Sequence, residues 1–181
     1  MDTFIRNNPN VDFELCEANT YEQINNLEKK IIDVAIVRTP FNEMGLKVHK
    51  LHDEPLVFVG HKKYFKHLKS DTITLEEIKD IPLIMYRRYY DLFIEECAKL
   101  KLQPHIFCLN EDARTTLSWA LKSYGIGLLP LSVAKKVSGE FEYHKLDHKR
   151  LKTKVALIWK EDQYLNHITK AFIESFISDS L

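Results

Sequence analysis

Three arginines stand directly after short apolar runs, at positions where a guanidinium group could bind a carboxylate. Arg38 follows the run 33–37, and Arg87 and Arg88 follow the run 82–86. A guanidinium presents paired N–H donors that match the two oxygens of a carboxylate. Each arginine could instead form a surface ion pair, and of Arg87 and Arg88 we expect one side chain to be solvated. The sequence therefore favours binding of an organic anion.

Small polar residues accompany these arginines at the predicted ends of strands and helices. Asn19 and Thr20 precede an amphipathic stretch, and Thr39 follows Arg38. Thr20 and Gln23 have capping-box spacing, so we expect the Thr20 hydroxyl to cap a helix. The same hydroxyl could donate to a bound carboxylate. The two roles are compatible, because the start of a helix still presents backbone amides to an anion.

Two glycines in one short segment suggest a second kind of contact. Gly125 and Gly127 follow a predicted helix, whereas a dinucleotide-binding loop places its glycines between a strand and the helix after it. We expect Gly125 to end the helix in the left-handed conformation, and we expect the backbone to approach a ligand closely here. Ile126 and Met85, which also lie at predicted strand ends, are further candidates for the wall of a pocket.

The sequence contains no catalytic or metal-binding motif. It has no Gly-x-Ser-x-Gly, no phosphate-binding loop and no zinc spacing. His144 and His148 are four residues apart, but they lie in a polar connector, which favours solvated side chains over a metal site. We therefore expect no enzymatic activity, no cofactor and no metal.

Composition excludes several classes of protein. The 181 residues include 26 Lys plus Arg and 26 Asp plus Glu, so the formal net charge is zero, which is unusual for a protein that binds nucleic acid by itself. No apolar run reaches 18 residues and no signal peptide is present, so no membrane association is expected. Three cysteines without a Cys-x-x-Cys pair fit a reducing compartment. We expect a cytoplasmic protein.

Apolar periodicity places these candidates on alternating strands and helices. Helices are predicted over residues 20–31, 91–102, 112–124 and 165–176, with a short one after Thr74, and strands over 11–16, 33–37, 46–49, 56–59, 82–86, 105–109, 126–130, 141–146 and 154–159. This alternation predicts an α/β protein with mostly parallel sheets, in which 33–37 is a buried parallel strand. No flexible linker interrupts the chain, which favours lobes joined by crossing strands.

Several motifs occur in an order that is typical of one family. The pattern of residues 4–37 ends in Asp-Val-Ala-Ile, and it is followed by the segment 51–59, the segment 73–84, the Gly-x-Gly-hydrophobic-hydrophobic-Pro sequence at 125–130, and Phe172 with Phe176. Together these motifs resemble the effector-binding (regulatory, LysR substrate-binding) domain of LysR-type transcriptional regulators. The resemblance covers nearly the whole chain.

The resemblance implies a fold and a binding site. The fold would be of the type 2 periplasmic-binding-protein class, with two Rossmann-like lobes joined by two crossover strands: lobe I in residues 1–58 and 154–181, and lobe II in residues 59–153. A small-molecule effector, expected to be a carboxylate, would bind in the cleft between the lobes. The candidate effector-binding residues are Asn19, Thr20, Arg38, Thr39, Met85, Arg87, Arg88, Gly125 and Ile126.

The resemblance also implies partners. It implies an antiparallel homodimer through the helices at 20–31 and 112–124, a tetramer in the full-length protein, and DNA contacts only through an N-terminal helix-turn-helix domain. The sequence lacks that domain and the first strand of lobe I, so we expect a truncated chain whose pocket is incomplete.

Three alternatives remain open at this stage. A solute-binding protein of a transport system has the same fold, as does an enzyme such as a dehydratase. A redox sensor is disfavoured, because Cys97 lies near one sensing position of the peroxide-sensing members whereas the other position is Arg88. Cys16 and Cys108 are expected to be small buried residues.

Overall fold

The computed structural model describes residues 1–68 and 70–178, which form two compact units. Unit 1 comprises Met1–Asp53 and the described residues from Lys154 onward, and unit 2 comprises Glu54–Thr153. Two long strands, β2 and β8, contribute residues to both units. The helices are α1 Asp2–Asn7, α2 Thr20–Glu28, α3 Arg87–Lys99, α4 Ala113–Ala120, α5 Leu131–Ala134 and α6 His167–Ser178. The strands are β1 Ala35–Arg38, β2 Leu46–His61, β3 Thr72–Ile73, β4 Leu83–Tyr86, β5 Ile106–Asn110, β6 Ile126–Pro130, β7 Phe141–Leu146 and β8 Lys152–Lys160.

In unit 1, helix α2 packs on a short antiparallel sheet. Strand β1 pairs with β8, with Ala35 opposite Ile158. The inward-facing Ala35 and Val37 pack against Leu27 of α2 and exclude water from the sheet. The prediction that 33–37 is a parallel strand was therefore wrong. Its apolar character reflects burial under α2 and does not fix strand direction.

The start of α2 is capped one residue earlier than predicted. The Asn19 side chain accepts hydrogen bonds from the backbone N–H groups of Tyr21 (3.0 Å) and Glu22 (3.1 Å), and Glu22 accepts one from the Asn19 N–H (3.4 Å). This reciprocal pair is a capping box. Thr20 is consequently the first helical residue, so the predicted Thr20–Gln23 capping box is wrong. The helix ends at Glu28, three residues before the predicted end.

Residues 11–16 do not form the predicted strand. Their side chains are mostly exposed, and no strand among the described residues pairs with them. Phe13 packs edge-on against Phe4 of α1 (6.0 Å between ring centroids) and against Phe172 of α6 (6.2 Å). A strand requires a hydrogen-bonded neighbour, and the alternation of apolar residues cannot supply one.

Unit 2 is built on a mixed sheet. Strand β4 lies between β5 and β6 and is parallel to both, with Leu83 opposite Ile126 and Tyr86 opposite Asn110. On its other edge β6 pairs antiparallel with β2, which pairs antiparallel with β7, and the short β3 is parallel to β7. The prediction of mostly parallel strands therefore holds for β4, β5 and β6 and for the short pair of β3 with β7, whereas β2 pairs antiparallel with both of its neighbours in this unit.

Both faces of the unit 2 sheet are covered by side chains. Phe58 lies on one face, edge-on to Phe93 of α3 at 6.3 Å, whereas Val57 and Val59 lie on the other face with Ala120 of α4. Because successive strand residues point to opposite faces, coverage of both faces explains the continuous apolar run of β2.

Several element boundaries differ from prediction. The runs 46–49 and 56–59 belong to the single strand β2, α3 begins at Arg87 and ends at Lys99, and α4 ends at Ala120. The segment after Thr74 forms only a 3₁₀ turn, Glu76–Ile78. Ser123, with φ 62°, adopts the left-handed conformation that was predicted for Gly125. None of the described helices combines the length and the apolar character that a membrane span needs.

Candidate functional site

Three helices of unit 2 begin at the same edge of its sheet. Strands β4, β5 and β6 are parallel, and α3, α4 and α5 follow them with connections of at most two residues. The starts of these helices therefore lie together at the carboxyl edge of the sheet. This is the edge at which open α/β sheets bind ligands, because the helix starts present unpaired N–H groups and positive partial charge there.

Two of these helix starts already carry a protein carboxylate. The Asp112 side chain accepts hydrogen bonds from the N–H groups of Arg114 (2.8 Å) and Thr115 (2.9 Å) at the start of α4. Glu54, of which only 4% is exposed, accepts one from the Ser132 N–H (3.1 Å) in the first turn of α5. These anions satisfy the donors that would otherwise be open to a ligand.

The start of α3 differs from its two neighbours. Its N-cap residue, Tyr86, makes no side-chain hydrogen bond that caps the helix, and the first two helical residues are the predicted Arg87 and Arg88. Arg87 forms an ion pair with Glu111, and both of these side chains are more than half exposed. Exposed pairs contribute at most about 1 kcal/mol, so an incoming anion can displace Glu111 at low cost. Arg88 is half-buried.

A half-buried amide that we did not predict fixes this edge. The Asn110 amide donates to the Met85 carbonyl (3.3 Å) and to the Thr116 hydroxyl (2.9 Å), and its oxygen accepts from the Asp112 N–H (3.1 Å). Asn110 thereby ties the end of β4 to the start of α4. Its position at the end of an apolar run was the signal available in the sequence.

The strand register separates two of the predicted site residues from Arg87 and Arg88. Ile126 lies opposite Leu83, at the amino end of β4, and Gly125 precedes it. About four residues of strand, or about 13 Å, therefore separate this pair from the start of α3. Met85 does lie beside the carboxyl edge, but its side chain is fully buried in the core. Only its main chain faces polar groups.

Gly125 is needed for close packing. A Cβ atom there would lie 2.2 Å from the Pro82 carbonyl oxygen, and the adjacent Ile126 N–H donates to that oxygen (2.9 Å). The close backbone approach that the sequence suggested therefore involves Pro82.

The four predicted residues of unit 1 lie at one end of its sheet. Helix α2 packs on β1, and six residues join the end of α2 to the start of β1. The two elements therefore run in opposite directions, which places the helix start with Asn19 and Thr20 at the same end as Arg38 and Thr39. Arg38 is half-buried and Thr20 is buried.

Thr39 is held firmly at this end. Its N–H donates to the Lys154 carbonyl (2.9 Å), and its hydroxyl oxygen accepts from the Lys154 N–H (3.0 Å).

Charged residues at the far end of α3 have a structural role. Glu95 and Glu96 accept hydrogen bonds from Lys99 (2.6 Å and 2.7 Å), and both also pair with Arg150. The hydrogen bonds from Lys99 and Arg150 lower the pKa of Glu95 to about 2. This network joins α3 to the 147–151 segment.

Cys97 does not have the properties of a redox sensor. It is buried against the core, and burial, with the nearby Glu76 and Glu96 carboxylates, raises the pKa of its thiol to about 11. Because the thiolate is the reactive form, this thiol is unreactive near neutral pH.

Solved structures define the class to which this two-unit α/β protein belongs. The regulatory domain of CcmR from Synechocystis PCC6803, in complex with 2-PG, matches with a TM-score of 0.84 at 17% identity, over 99% of this chain and 88% of that chain. The effector binding domain of QuiR in complex with shikimate matches with a TM-score of 0.82 at 21% identity, over 99% of this chain and 87% of that chain. The effector binding domain of BenM with its effector benzoate matches with a TM-score of 0.75 at 17% identity, over 98% of this chain and 84% of that chain. At these identities the likeness establishes the fold, which is the predicted type 2 periplasmic-binding-protein-like fold.

The sequence identifies the family. The model of the LysR substrate binding domain matches residues 1–179, and the chain belongs to this family. Two relatives from Bacillus subtilis (strain 168) are the uncharacterized HTH-type transcriptional regulator YwbI (27% identity, 94% of this chain and 58% of that protein) and the HTH-type transcriptional regulator AlsR (28%, 91% and 56%).

These relatives decide between the classes left open by the sequence. The family is one of transcriptional regulators, which are not enzymes, so the prediction of no enzymatic activity is confirmed. The family match favours regulation over transport. The chain spans less than three fifths of the length of YwbI and AlsR.

Proposed function

We propose that this chain is the effector-sensing domain of a LysR-type regulator and that its effector is a small organic carboxylate. The observation that carries the proposal is the start of α3. Of three helix starts at one sheet edge, two hold protein carboxylates, whereas α3 begins with Arg87 and Arg88. An anion at this position would receive N–H hydrogen bonds and guanidinium contacts together.

The predicted residues of unit 1 provide a second set of candidate contacts. Arg38 supplies a guanidinium, and Thr20 and Thr39 supply hydroxyls. Asn19 caps the first turn of α2 beside them. Two of the solved relatives bind shikimate and benzoate, both carboxylates. These ligands support the choice of a carboxylate for this chain.

Matched pairs of ligands test the charge requirement. Thermal-shift and calorimetric titrations would compare mono-, di- and tricarboxylates and aromatic acids with their neutral amides, for example benzoate with benzamide. We expect at least one carboxylate to raise the melting temperature while its amide does not. A panel in which acids and amides behave alike would contradict the proposal.

Variants then test the residues. Arg88→Gln and Arg38→Ala should each weaken carboxylate binding by about 2 kcal/mol, or about 30-fold, because a hydrogen bond to a charged group is worth ~1.5–3 kcal/mol. Arg6→Gln is the matched control, since Arg6 is an exposed arginine in the last turn of α1 and is none of the candidate residues. Unchanged affinity in Arg88→Gln would remove the start of α3 from the site.

We also propose two partners for this domain, a second copy of itself and a separate DNA-binding domain. A second copy would pack against α2 and α4 in an antiparallel homodimer, as the family resemblance implies, and DNA would be bound by a separate domain in the cytoplasm. The exposed Phe107, Trp119 and Tyr124, which contact one another beside α4, support α4 as part of the interface. Sedimentation should show a dimer that Trp119→Asp weakens. A monomer at high concentration would contradict this proposal.

A further inference from the structure

Lysines are concentrated at the amino edge of the unit 2 sheet, which is the end away from the start of α3. The segment 61–67 includes the end of β2, and the segments 79–82, 100–105 and 121–125 precede β4, β5 and β6. These four segments contain a single acidic residue, Asp80, and no arginine. Their six lysines are Lys62, Lys63, Lys66, Lys79, Lys101 and Lys122. Because the whole chain has no net charge, this edge has a local excess of positive charge.

Contacts within unit 2 bring the first and last of these segments together. The antiparallel pairing of β2 with β6 places the end of β2 beside the start of β6. The Tyr64 hydroxyl then donates to the Ser123 carbonyl (2.8 Å), and the Lys63 ammonium lies 4.8 Å from the centroid of the Tyr64 ring. Lys122 directly precedes Ser123, so lysines that are distant in sequence share one surface.

The described part of the chain does not neutralise these six lysines. All six are exposed, and none forms an ion pair with a described carboxylate. Lys101 and Lys122 follow the ends of α3 and α4, where a positive charge stabilises the helix dipole. The three lysines of 61–67 follow a strand and have only one 3₁₀ turn beside them, so the dipole does not account for their presence.

The positive charge extends along the edge as a row. The strand order across the edge is β2, β6, β4 and β5, and neighbouring strands lie about 4.8 Å apart. The first and last segments are therefore about 14 Å apart. Duplex DNA carries one phosphate charge per about 1.7 Å of its axis, so a row of this length spans about eight phosphate charges.

The residue type at this edge favours phosphate groups over an acidic protein surface. Protein interfaces are enriched in arginine and depleted of lysine, whereas the four segments contain lysine alone. Lysine acts as a compact point charge that pairs with a phosphate without a fixed fork geometry. Contacts of this kind position a protein on a duplex and carry no sequence information.

We infer that the amino edge of unit 2 binds the sugar-phosphate backbone of duplex DNA without sequence preference. The choice of DNA rests on the proposed function, because the separate DNA-binding domain proposed above would hold a duplex near this chain. The lysine edge would then strengthen the binding of that domain without changing its specificity.

The test uses the full chain alone and a fluorescent duplex of about 20 base pairs at low salt. We expect saturable binding by fluorescence anisotropy, with equal affinity for two unrelated sequences. The plot of log Kd against log salt concentration should have a slope of about 3–4, since three or four phosphates would be neutralised. Lys62→Gln, Lys63→Gln and Lys66→Gln combined should weaken binding at least tenfold and lower this slope by about 2–3.

A second triple variant controls for net charge. Lys145→Gln, Lys149→Gln and Lys152→Gln combined remove the same charge from exposed positions of unit 2, and this variant should bind the duplex normally. These lysines lie at or beyond the far end of β7, whose start is paired with the end of β2. Equal losses in the two triple variants, no binding by the unmodified chain at low salt, or equally effective displacement of the duplex by polyglutamate would overturn the inference.

The same proteins separate this inference from the proposed effector site. Both triple variants should respond to carboxylates as the unmodified chain does, and Arg88→Gln should bind the duplex normally, because Arg88 lies about 13 Å away along β4. Duplex binding that is lost in Arg88→Gln would overturn the inference. Normal duplex binding without any response to carboxylates would refute the proposed effector and support the lysine edge.

Discussion

Replacement of Gly125 by alanine tests whether this glycine is required for backbone proximity or for a left-handed helix end. The new Cβ would lie 2.2 Å from the Pro82 carbonyl oxygen, whereas Cβ contacts in proteins stay above 3.0 Å. The contacted atom belongs to the backbone and cannot rotate away as a side chain could, so the starts of β4 and β6 must separate by close to 1 Å. This separation would break the bond from the Ile126 N–H to the same oxygen.

The expected cost follows from these two effects. Overpacking in a rigid core costs ~1–3 kcal/mol, and loss of a buried backbone hydrogen bond costs about 1 kcal/mol or more. Gly125→Ala should therefore lower the free energy of unfolding by about 2–4 kcal/mol. For a chain of this size, that corresponds to a fall of roughly 5–15 °C in melting temperature.

Two further variants separate the steric clash of the added Cβ from the cost of a left-handed backbone conformation. Gly139→Ala is the matched control, because Gly139 has φ +72° but no atom within 4 Å of the added Cβ, so only backbone strain of about 1 kcal/mol applies. Ser123→Gly should be neutral or stabilising by up to about 1 kcal/mol, because Ser123 holds the left-handed conformation. Urea denaturation followed by circular dichroism measures all three. A Gly125→Ala protein as stable as Gly139→Ala would refute the reasoning.

Three further predictions concern local electrostatics, thiol reactivity and capping. The native pKa of Glu95 is about 2 against an ordinary 4.5, so this carboxylate stabilises the fold above about pH 4.5 and the stabilisation is lost as the pH falls toward 2. Arg150→Ala should make urea midpoints less pH-dependent in that window, and an unchanged slope would contradict the assignment. Among the thiols, exposed Cys16 should react rapidly with a disulfide reagent in the native protein and buried Cys97 only on unfolding. Cys16→Ser, but not Cys97→Ser, should remove the fast phase. Asn19→Ala should cost about 1 kcal/mol of stability through loss of the α2 cap while Asn19→Asp retains it, and equal stability of the two would exclude Asn19 as the cap.

Local patterns were sufficient for much of unit 2. Each of its three parallel strands β4, β5 and β6 is a short, largely apolar run. The strands β6 at Ile126–Pro130 and β7 at Phe141–Leu146 begin and end at the predicted residues. These signals are strong because both faces of the sheet are buried. Residues 11–16 are different, because most of their side chains are exposed. Their alternation of apolar and polar residues carries no information about whether a partner strand is present.

The candidate site was less predictable, because register and capping depend on contacts far apart in sequence. The sequence identified Arg38, Arg87 and Arg88 as residues that follow strands, and they do lie at strand ends. It could not show that Glu54 occupies the start of α5, since these residues are brought together by the pairing of β2 with β6. Nor could it show that Gly125 lies at the opposite end of the sheet from Arg87.

The two ends of the unit 2 sheet are nevertheless linked through the strands themselves. Contact of Gly125 with Pro82 sets β6 against β4 at their amino ends, and this register determines which residues meet at the carboxyl edge. A slip of one residue would turn every side chain of β4 to the opposite face, and it would displace the Met85 carbonyl from Asn110 and α3 from its place beside α4. Gly125 thus acts on the start of α3 from about 13 Å away, as a positioning residue. This explains why the glycine motif at 125–130 is associated with the proposed anion site at the start of α3, although the Gly125 backbone does not reach that site.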